Sequence, residues 1–274
     1  MMTARFLISR SFIAIVAFIL SPFSYALTSY SSLTTEENAI FSANLVLTEN
    51  ASHSILPPDY RVKKLEEVTY QDGECVSTIW IDYDISGNMA AFERHEKNRR
   101  GESVTKIYKN KEGHWIKCIK WLMDGKESDV GKMVIRYLSD RQGRIVRSEL
   151  MNSEWIREYV YNDNAQLSEV VEKQKANYDS GKKYTVKKYY YNSKGFLARR
   201  DFKTSRNNFV STYYFDYNDK DMLQRIVGEA IAYSTQKRRA EKYYTYFDRN
   251  YNWLQAEWGT EDNKFIQNRT IVYY

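Results

Sequence analysis

A short phrase recurs seven times along the chain, and it constrains the fold more than any other feature. In its fullest form it reads YYYNSKGFL, residues 189–197. With the Asn or Asp taken as the anchor, the copies sit at Asp84, Asn110, Asp140, Asn162, Asn192, Asn218 and Asp248, a loose period near 27 residues. An aromatic residue precedes the anchor in five copies, as Tyr83, Tyr161, Tyr191, Tyr217 and Phe247. Gly follows three positions later in four, as Gly87, Gly113, Gly143 and Gly195. Five positions later an apolar residue is always present: Met89, Trp115, Ile145, Leu167, Leu197, Leu223 and Trp253. Self-similarity at a fixed period signals a repeat architecture.

The spacing is that of a β-hairpin. Asn or Asp at the head of a turn accepts hydrogen bonds from the turn's own amides. Gly three residues on supplies the positive φ that closes the turn into a bulge. Runs such as WIREYVY (155–161) and LSEVVEK (167–173) flank the turns, and second turns are expected at NYDSGK (177–182) and SRNN (205–208). Strand–turn–strand with no helical interlude gives antiparallel neighbours. Seven copies therefore predict an all-β antiparallel meander of about 14 strands, as a curled sheet or barrel-like. The 24 Tyr among 15% aromatics agree, since aromatic residues favour strands.

The phrase resembles the YD repeats of the Rhs and wall-associated proteins, which teneurins share. Those repeats read aromatic-x-Tyr-Asp-x-x-Gly-x-Leu. YYYNSKGFL fits with Asn for Asp, while YVYNDNAQL (159–167), FDYNDKDML (215–223) and IDYDISGNM (81–89) fit less fully. The likeness spans about residues 75–258. It departs in a longer period, and in Ala165, Asp221 and Tyr251 where the family has Gly. It also departs in having neither an Asp-Pro-x-Gly segment nor an appended toxin domain. The resemblance implies hairpin architecture, and more weakly carbohydrate binding and surface interaction.

Residues 1–26 read as a secretory leader. Arg5 and Arg10 precede the apolar stretch Phe12–Leu20, and Ser24-Tyr25-Ala26 offers a cleavage site after Ala26. Without Arg5 and Arg10 the chain keeps 39 basic and 35 acidic side chains, a net +4. A periplasmic or secreted location follows, and no membrane span is expected once the leader is gone. Residues 27–58 form a separate N-terminal segment. In it Thr34 and Glu37 make a capping box for a short helix over NAIFSANLVL, ending before Pro57-Pro58. The repeat domain then occupies residues 59–274.

A leader followed by many antiparallel strands raises the question of an outer-membrane barrel. Such a barrel needs one uncharged face per strand, because charge at the hydrocarbon midplane costs about 2–4 kcal/mol. WIREYVY places Arg157 on one face and Glu158 on the other, and YTVKKYY splits Lys187 from Lys188 in the same way. Only FVSTYYFDY has a clean face: Phe209, Ser211, Tyr213, Phe215 and Tyr217. The pattern predicts a sheet in water, with Tyr, Trp and the stems of Lys and Arg sharing the packed faces.

No catalytic motif stands out. The three histidines, His53, His95 and His114, have no zinc-ligand spacing, and no nucleophile elbow or phosphate loop occurs. No catalytic residue, metal or cofactor is assigned, and the chain is read as non-enzymatic. Cys75 and Cys118 could bridge in an oxidising compartment. In a simple meander, however, their strands are three apart, about 14 Å, against the ~7 Å a disulfide spans.

What remains is an aromatic and basic sheet surface suited to a glycan or protein partner of the cell envelope, with no nucleic acid expected. Trp115, Trp121, Trp155, Tyr189 and Tyr191 are its nominated contact residues. An envelope assembly or immunity role, and a carrier of an apolar ligand in a curled sheet, are the alternatives.

Overall fold

The computed structural model describes residues 32–49, 61–98, 101–123, 126–127, 132–174, 185–205, 209–231, 237–261 and 263–274. The leader with its cleavage site, Pro57-Pro58, and the turns at 177–182 and 206–208 lie outside the described residues.

In every copy of the repeat the anchor's side-chain oxygen accepts hydrogen bonds from the amides two and four positions on. At Asn192 these come from Lys194 and Phe196, both at 3.0 Å. At Asp84 they come from Ser86 and Asn88. The residue three positions on has positive φ whether or not it is Gly: Ala165, Asp221 and Tyr251 adopt 60–63°. The loop's own hydrogen bonds thus hold the left-handed conformation that a side chain there would otherwise resist.

The tyrosine before the anchor has a definite task. After most turns a bulge follows the apolar residue, so the ladder slips by one. The tyrosine hydroxyl donates to the carbonyl of the equivalent apolar residue in the preceding copy: Tyr161 to Ile145 at 2.7 Å, Tyr191 to Leu167 at 2.8 Å and Tyr217 to Leu197 at 3.0 Å. Each ring therefore fastens one hairpin to the next.

Seventeen strands form among the described residues: β1 (Val62–Gln71), β2 (Glu74–Tyr83), β3 (Met89–Asn98), β4 (Gly101–Lys109), β5 (Trp115–Met123), β6 (Lys126–Glu127), β7 (Met133–Ser139), β8 (Ile145–Leu150), β9 (Trp155–Tyr161), β10 (Leu167–Gln174), β11 (Thr185–Tyr191), β12 (Leu197–Thr204), β13 (Phe209–Tyr217), β14 (Leu223–Ile231), β15 (Lys237–Phe247), β16 (Trp253–Thr260) and β17 (Asn263–Tyr273). The expected count of 14 is corrected to 17. The seven copies do supply 14 strands, β2–β5 and β7–β16. The two-residue β6 pairs only with β5, while β1 and β17 flank the repeats. Because β1 pairs with both β2 and β17, the meander closes into a 16-stranded antiparallel barrel. Closure gives each of the sixteen barrel strands a neighbour on both sides.

Of the segment read as separate, residues 32–49 are described, and they belong to the same compact unit as the strands. Helix α1 (Thr35–Thr48) carries the predicted capping box, Thr34 with Glu37, and Ser32–Tyr274 forms one compact body. Phe41, Leu45, Val46 and Leu47 are buried, and so are Asn38, Ser42 and Asn44. Their polar atoms go to the strands. Ser42 Oγ accepts from the Leu167 amide and Asn44 Oδ1 from the Met89 amide, both at 2.9 Å, while Asn44 Nδ2 donates to the Gly87 carbonyl. The helix is thus enclosed by strands on different sides, which explains why its sequence shows no single apolar stripe.

Alternation along the strands then fixes the two walls. The inner wall near the turns is apolar and aromatic, with Leu65, Ile81, Phe92, Ile107, Tyr137, Tyr159, Leu167, Leu197 and Phe215 in one buried cluster around α1. The outer wall carries ion pairs on strand after strand. They include Lys64–Asp82, Lys106–Glu93, Lys173–Glu158, Lys188–Glu169, Arg225–Asp216 and Lys264–Glu257. No helix among the described residues is long and apolar enough to cross a membrane.

Candidate functional site: an aromatic and cationic hollow in the barrel wall

Beyond the apolar layer the inner wall becomes polar, and buried charge gathers at two places. The first is the end of α1. Glu49, in left-handed conformation at the helix C-cap, accepts from Arg157 at 2.9 Å and from Lys117 and Lys187 at 3.3 Å each. Burial alone would raise this carboxyl. The charges of Lys117, Arg157 and Lys187 outweigh burial and hold it well below the usual carboxylate range. A carboxylate at a helix C-terminus opposes the helix dipole, so the three cations are what make it tolerable.

The second is the seam between β1 and β17. Glu67 and Arg269 face each other in register, 3.0 Å apart with almost no exposure. The guanidinium lies 3.4 Å over the Trp253 ring, and Gln267 donates to both Glu67 and Thr69. The first cluster encloses a cavity of only about 10 Å³.

Room exists on the inner wall of β12–β16. A cavity of about 230 Å³ is lined by Arg200, Tyr213, Phe215, Ile226, Gly228, Ala240, Glu241, Lys242, Tyr244 and Trp258. Register builds its floor. Arg200 lies opposite Tyr213, Tyr213 opposite Gly228, and Gly228 opposite Ala240. Lys242 lies opposite Ile226 and Trp258. A side chain at Gly228 would crowd the Tyr213 ring, because its Cβ would lie 3.0 Å from Tyr213 Cε1. The small pair Gly228–Ala240 therefore makes a shallow floor between larger aromatic walls.

Two cations flank that floor. The Arg200 guanidinium lies 4.4 Å over the Tyr213 ring. The Lys242 ammonium lies 4.4 Å over Trp258 and 5.3 Å over Tyr244, and donates to Gln267. Burial pushes the Lys242 amine down to about 8, against the raising effect of Glu67 and with the help of Arg269. Among the described residues no carboxylate is hydrogen-bonded to Arg200 or Lys242. Glu67 is engaged by Arg269, and Glu241 by Arg239 and Tyr243. The hollow therefore joins apolar walls to two cations to which no carboxylate among the described residues is hydrogen-bonded.

The nominated contact residues lie elsewhere, and on the wrong wall for a surface role. By alternation Trp115, Trp121, Trp155, Tyr189 and Tyr191 all face inward. Tyr189 is buried in the core, and Tyr191 packs edge-on against Phe41 of α1 with ring centroids 6.4 Å apart. Trp115 packs against the same cluster, under the Lys109 ammonium. None of the five lines the hollow, and barrel closure turns the face they share inside. Cys75 is exposed and Cys118 buried, and both are free thiols, so the bridge left open by the sequence is absent. His95 sits on the outer wall, bonded to Glu93 at 2.8 Å. The hollow did have a signal in the sequence. FVSTYYFDY was the one strand with a clean face, and Gly228 interrupts the next strand, as glycines do where another group approaches the backbone.

The fold is therefore that of a closed antiparallel barrel with a helix inside. No family model matches the chain, and no curated protein does. Among solved structures it is similar to a porin-like protein from Bacteroides uniformis ATCC 8492. That likeness has 14% identity and a TM-score of 0.52, and covers 77% of this chain and 98% of that one. A porin-like protein from Bacteroides vulgatus ATCC 8482 follows at 10% identity and a TM-score of 0.38, over 79% and 99% of the two chains. The TcdB2-TccC3 structure without its hypervariable C-terminal region matches at 10% identity and a TM-score of 0.23, over 72% of this chain and 15% of that one. The first likeness is one of fold, and the other two carry no argument.

Proposed function

We propose that this chain is a non-enzymatic binding protein of the cell envelope, periplasmic or secreted, which holds a small ligand within its barrel wall. The observation that carries the reading is the hollow of about 230 Å³ walled by Tyr213, Tyr244 and Trp258. Small-molecule sites are concave, mostly apolar and furnished with a few convergent polar groups. The ion pairs on the outer wall support a protein that stays in water, since each charge in hydrocarbon would cost about 2–4 kcal/mol. The seven equivalent turns support a divergent relation to YD-repeat proteins.

The test is binding of the neutral dye N-phenyl-1-naphthylamine, followed by its fluorescence. The reading expects saturable binding that Ala240→Phe, which fills the floor, abolishes while the unfolding temperature is kept. Absence of saturable binding would remove it. A second reading keeps a glycan on the outer wall, where Tyr190 and Tyr214 are 42% and 40% exposed and Arg199 lies 4.9 Å over the Tyr190 ring. A glycan array with wild type and Tyr190→Ala decides it: a bound glycan lost in the variant favours the outer wall.

A further inference from the structure

We propose that the hollow selects flat organic acids: an aromatic or similarly planar body carrying one carboxylate or sulfonate. The planar body would lie on the Gly228–Ala240 floor, and the acid would be taken at its edge by Lys242, with Arg200 adding its charge from the opposite side. This rests on the reading of the hollow as a binding site and names what it would take.

Three features of the wall carry the inference. The floor is flat because two facing positions have almost no side chain, while the positions around them carry Tyr213, Phe215, Tyr244 and Trp258. A disc-shaped body fits such a space, whereas a flexible chain would leave the rings uncovered. The cations stand at two edges of the floor, Arg200 three strands away from Ala240 and Lys242 two residues along from it on the same face. Both are held over ring faces rather than against carboxylates. Cation–π contacts keep the charges in place without neutralising them, and a charge-assisted hydrogen bond to an incoming acid is roughly twice as strong as a neutral one. The rings therefore present the cations as well as covering the ligand. A neutral ligand of the same shape would leave both cations without an anionic partner, and a straight-chain acid would forgo the ring contacts.

The experiment compares two dyes of similar aromatic body on the same protein, 8-anilinonaphthalene-1-sulfonate and the neutral N-phenyl-1-naphthylamine, with naphthalene-2-carboxylate and decanoate as competitors. The inference expects the sulfonate to bind more tightly than the neutral dye. Lys242→Met should weaken the sulfonate roughly tenfold and Arg200→Gln by less, while both leave the neutral dye within about twofold. Naphthalene-2-carboxylate should displace the sulfonate at concentrations where decanoate does not. Retained binding of the neutral dye shows that each variant still folds around an intact hollow. Equal binding of the two dyes, or a sulfonate affinity indifferent to both substitutions, would overturn the acid selectivity and leave the hollow as an apolar site. Equal displacement by decanoate would overturn the flat-body requirement. If neither dye binds the wild type, the underlying reading of the hollow fails as well.

Discussion

At the scale of single residues, most positions in the repeat have one physical task each. The anchor Asn or Asp closes the turn, and the tyrosine before it binds the neighbouring hairpin through a hydroxyl. Tyr191→Phe keeps the ring and deletes the donor, leaving the Leu167 carbonyl without its partner. We expect a loss of about 1 kcal/mol in denaturant unfolding. Lys242 makes a prediction with a sign. Its amine titrates at about 8 in the folded protein, against about 10.4 in an unfolded chain. Between those two values the unfolded state binds more protons, so this group's contribution to stability rises with pH across that window. The residues facing it are Tyr244, Trp253, Trp258 and Gln267, with Glu67 and Arg269 behind them. Lys242→Met should flatten the increase, as measured by urea midpoints between pH 7.5 and 10.5. Over the same range, sulfonate-dye affinity in the wild type should fall as the ammonium is lost.

At the scale of elements, the turns and the helix start were legible in the sequence, and the walls were not. Asn-x-x-Gly turns and the Thr34–Glu37 box act through neighbours two to four residues away, so local spacing was enough to find them. The first hairpin was also readable in principle: Asp72-Gly73 joins β1 to β2 with φ of 51° and 86°, the pattern of a tight two-residue turn. It falls outside the anchor register, which is why β1 was not counted. The direction a strand faces is a different matter. Glu66 and Glu67 are indistinguishable as letters, yet Glu67 is fully buried against Arg269 from a strand some two hundred residues away, while Glu66 is exposed and bonds Trp80. Alternation separates Arg157 from Glu158, but only closure decides that the Arg157 face is inside. The anchorage of α1 is testable at this scale. Glu49→Gln would leave Lys117, Arg157 and Lys187 without their shared anion. Breaking a fully buried pair costs 3–5 kcal/mol, and with about a third of Glu49 exposed we expect roughly 2 kcal/mol in chemical denaturation. Because the folded carboxyl is depressed, its contribution is present above the ordinary glutamate range and is lost as pH falls below it. Glu49→Gln should therefore be less sensitive to acid than the wild type between pH 5 and 3.

At the scale of the whole molecule, closure depends on the first and last strands meeting. The pair Glu67–Arg269 sits at that seam, and removing one partner leaves an uncompensated buried charge. Glu67→Gln should cost about 3–5 kcal/mol, whereas the double substitution Glu67→Met with Arg269→Met should recover much of the loss. Thermal unfolding of the wild type and the two variants measures this. The proposal that the barrel works in water predicts that the folded protein, added to phospholipid vesicles without detergent, stays in the supernatant after sedimentation. Pelleting with the vesicles would favour a membrane barrel instead.

Everything proposed about function depends on a ligand entering the inner wall of β12–β16 rather than resting on the outer wall. The most direct measurement is fluorine NMR of protein labelled with 5-fluorotryptophan, titrated with naphthalene-2-carboxylate, with resonances assigned by single Trp→Phe substitutions. Trp258 lines the hollow and Trp80 is 41% exposed on the opposite surface of the wall. A saturable shift of the Trp258 resonance with Trp80 unmoved is the predicted result. A shift of Trp80 with Trp258 unchanged, or no saturable shift at either, would contradict the account.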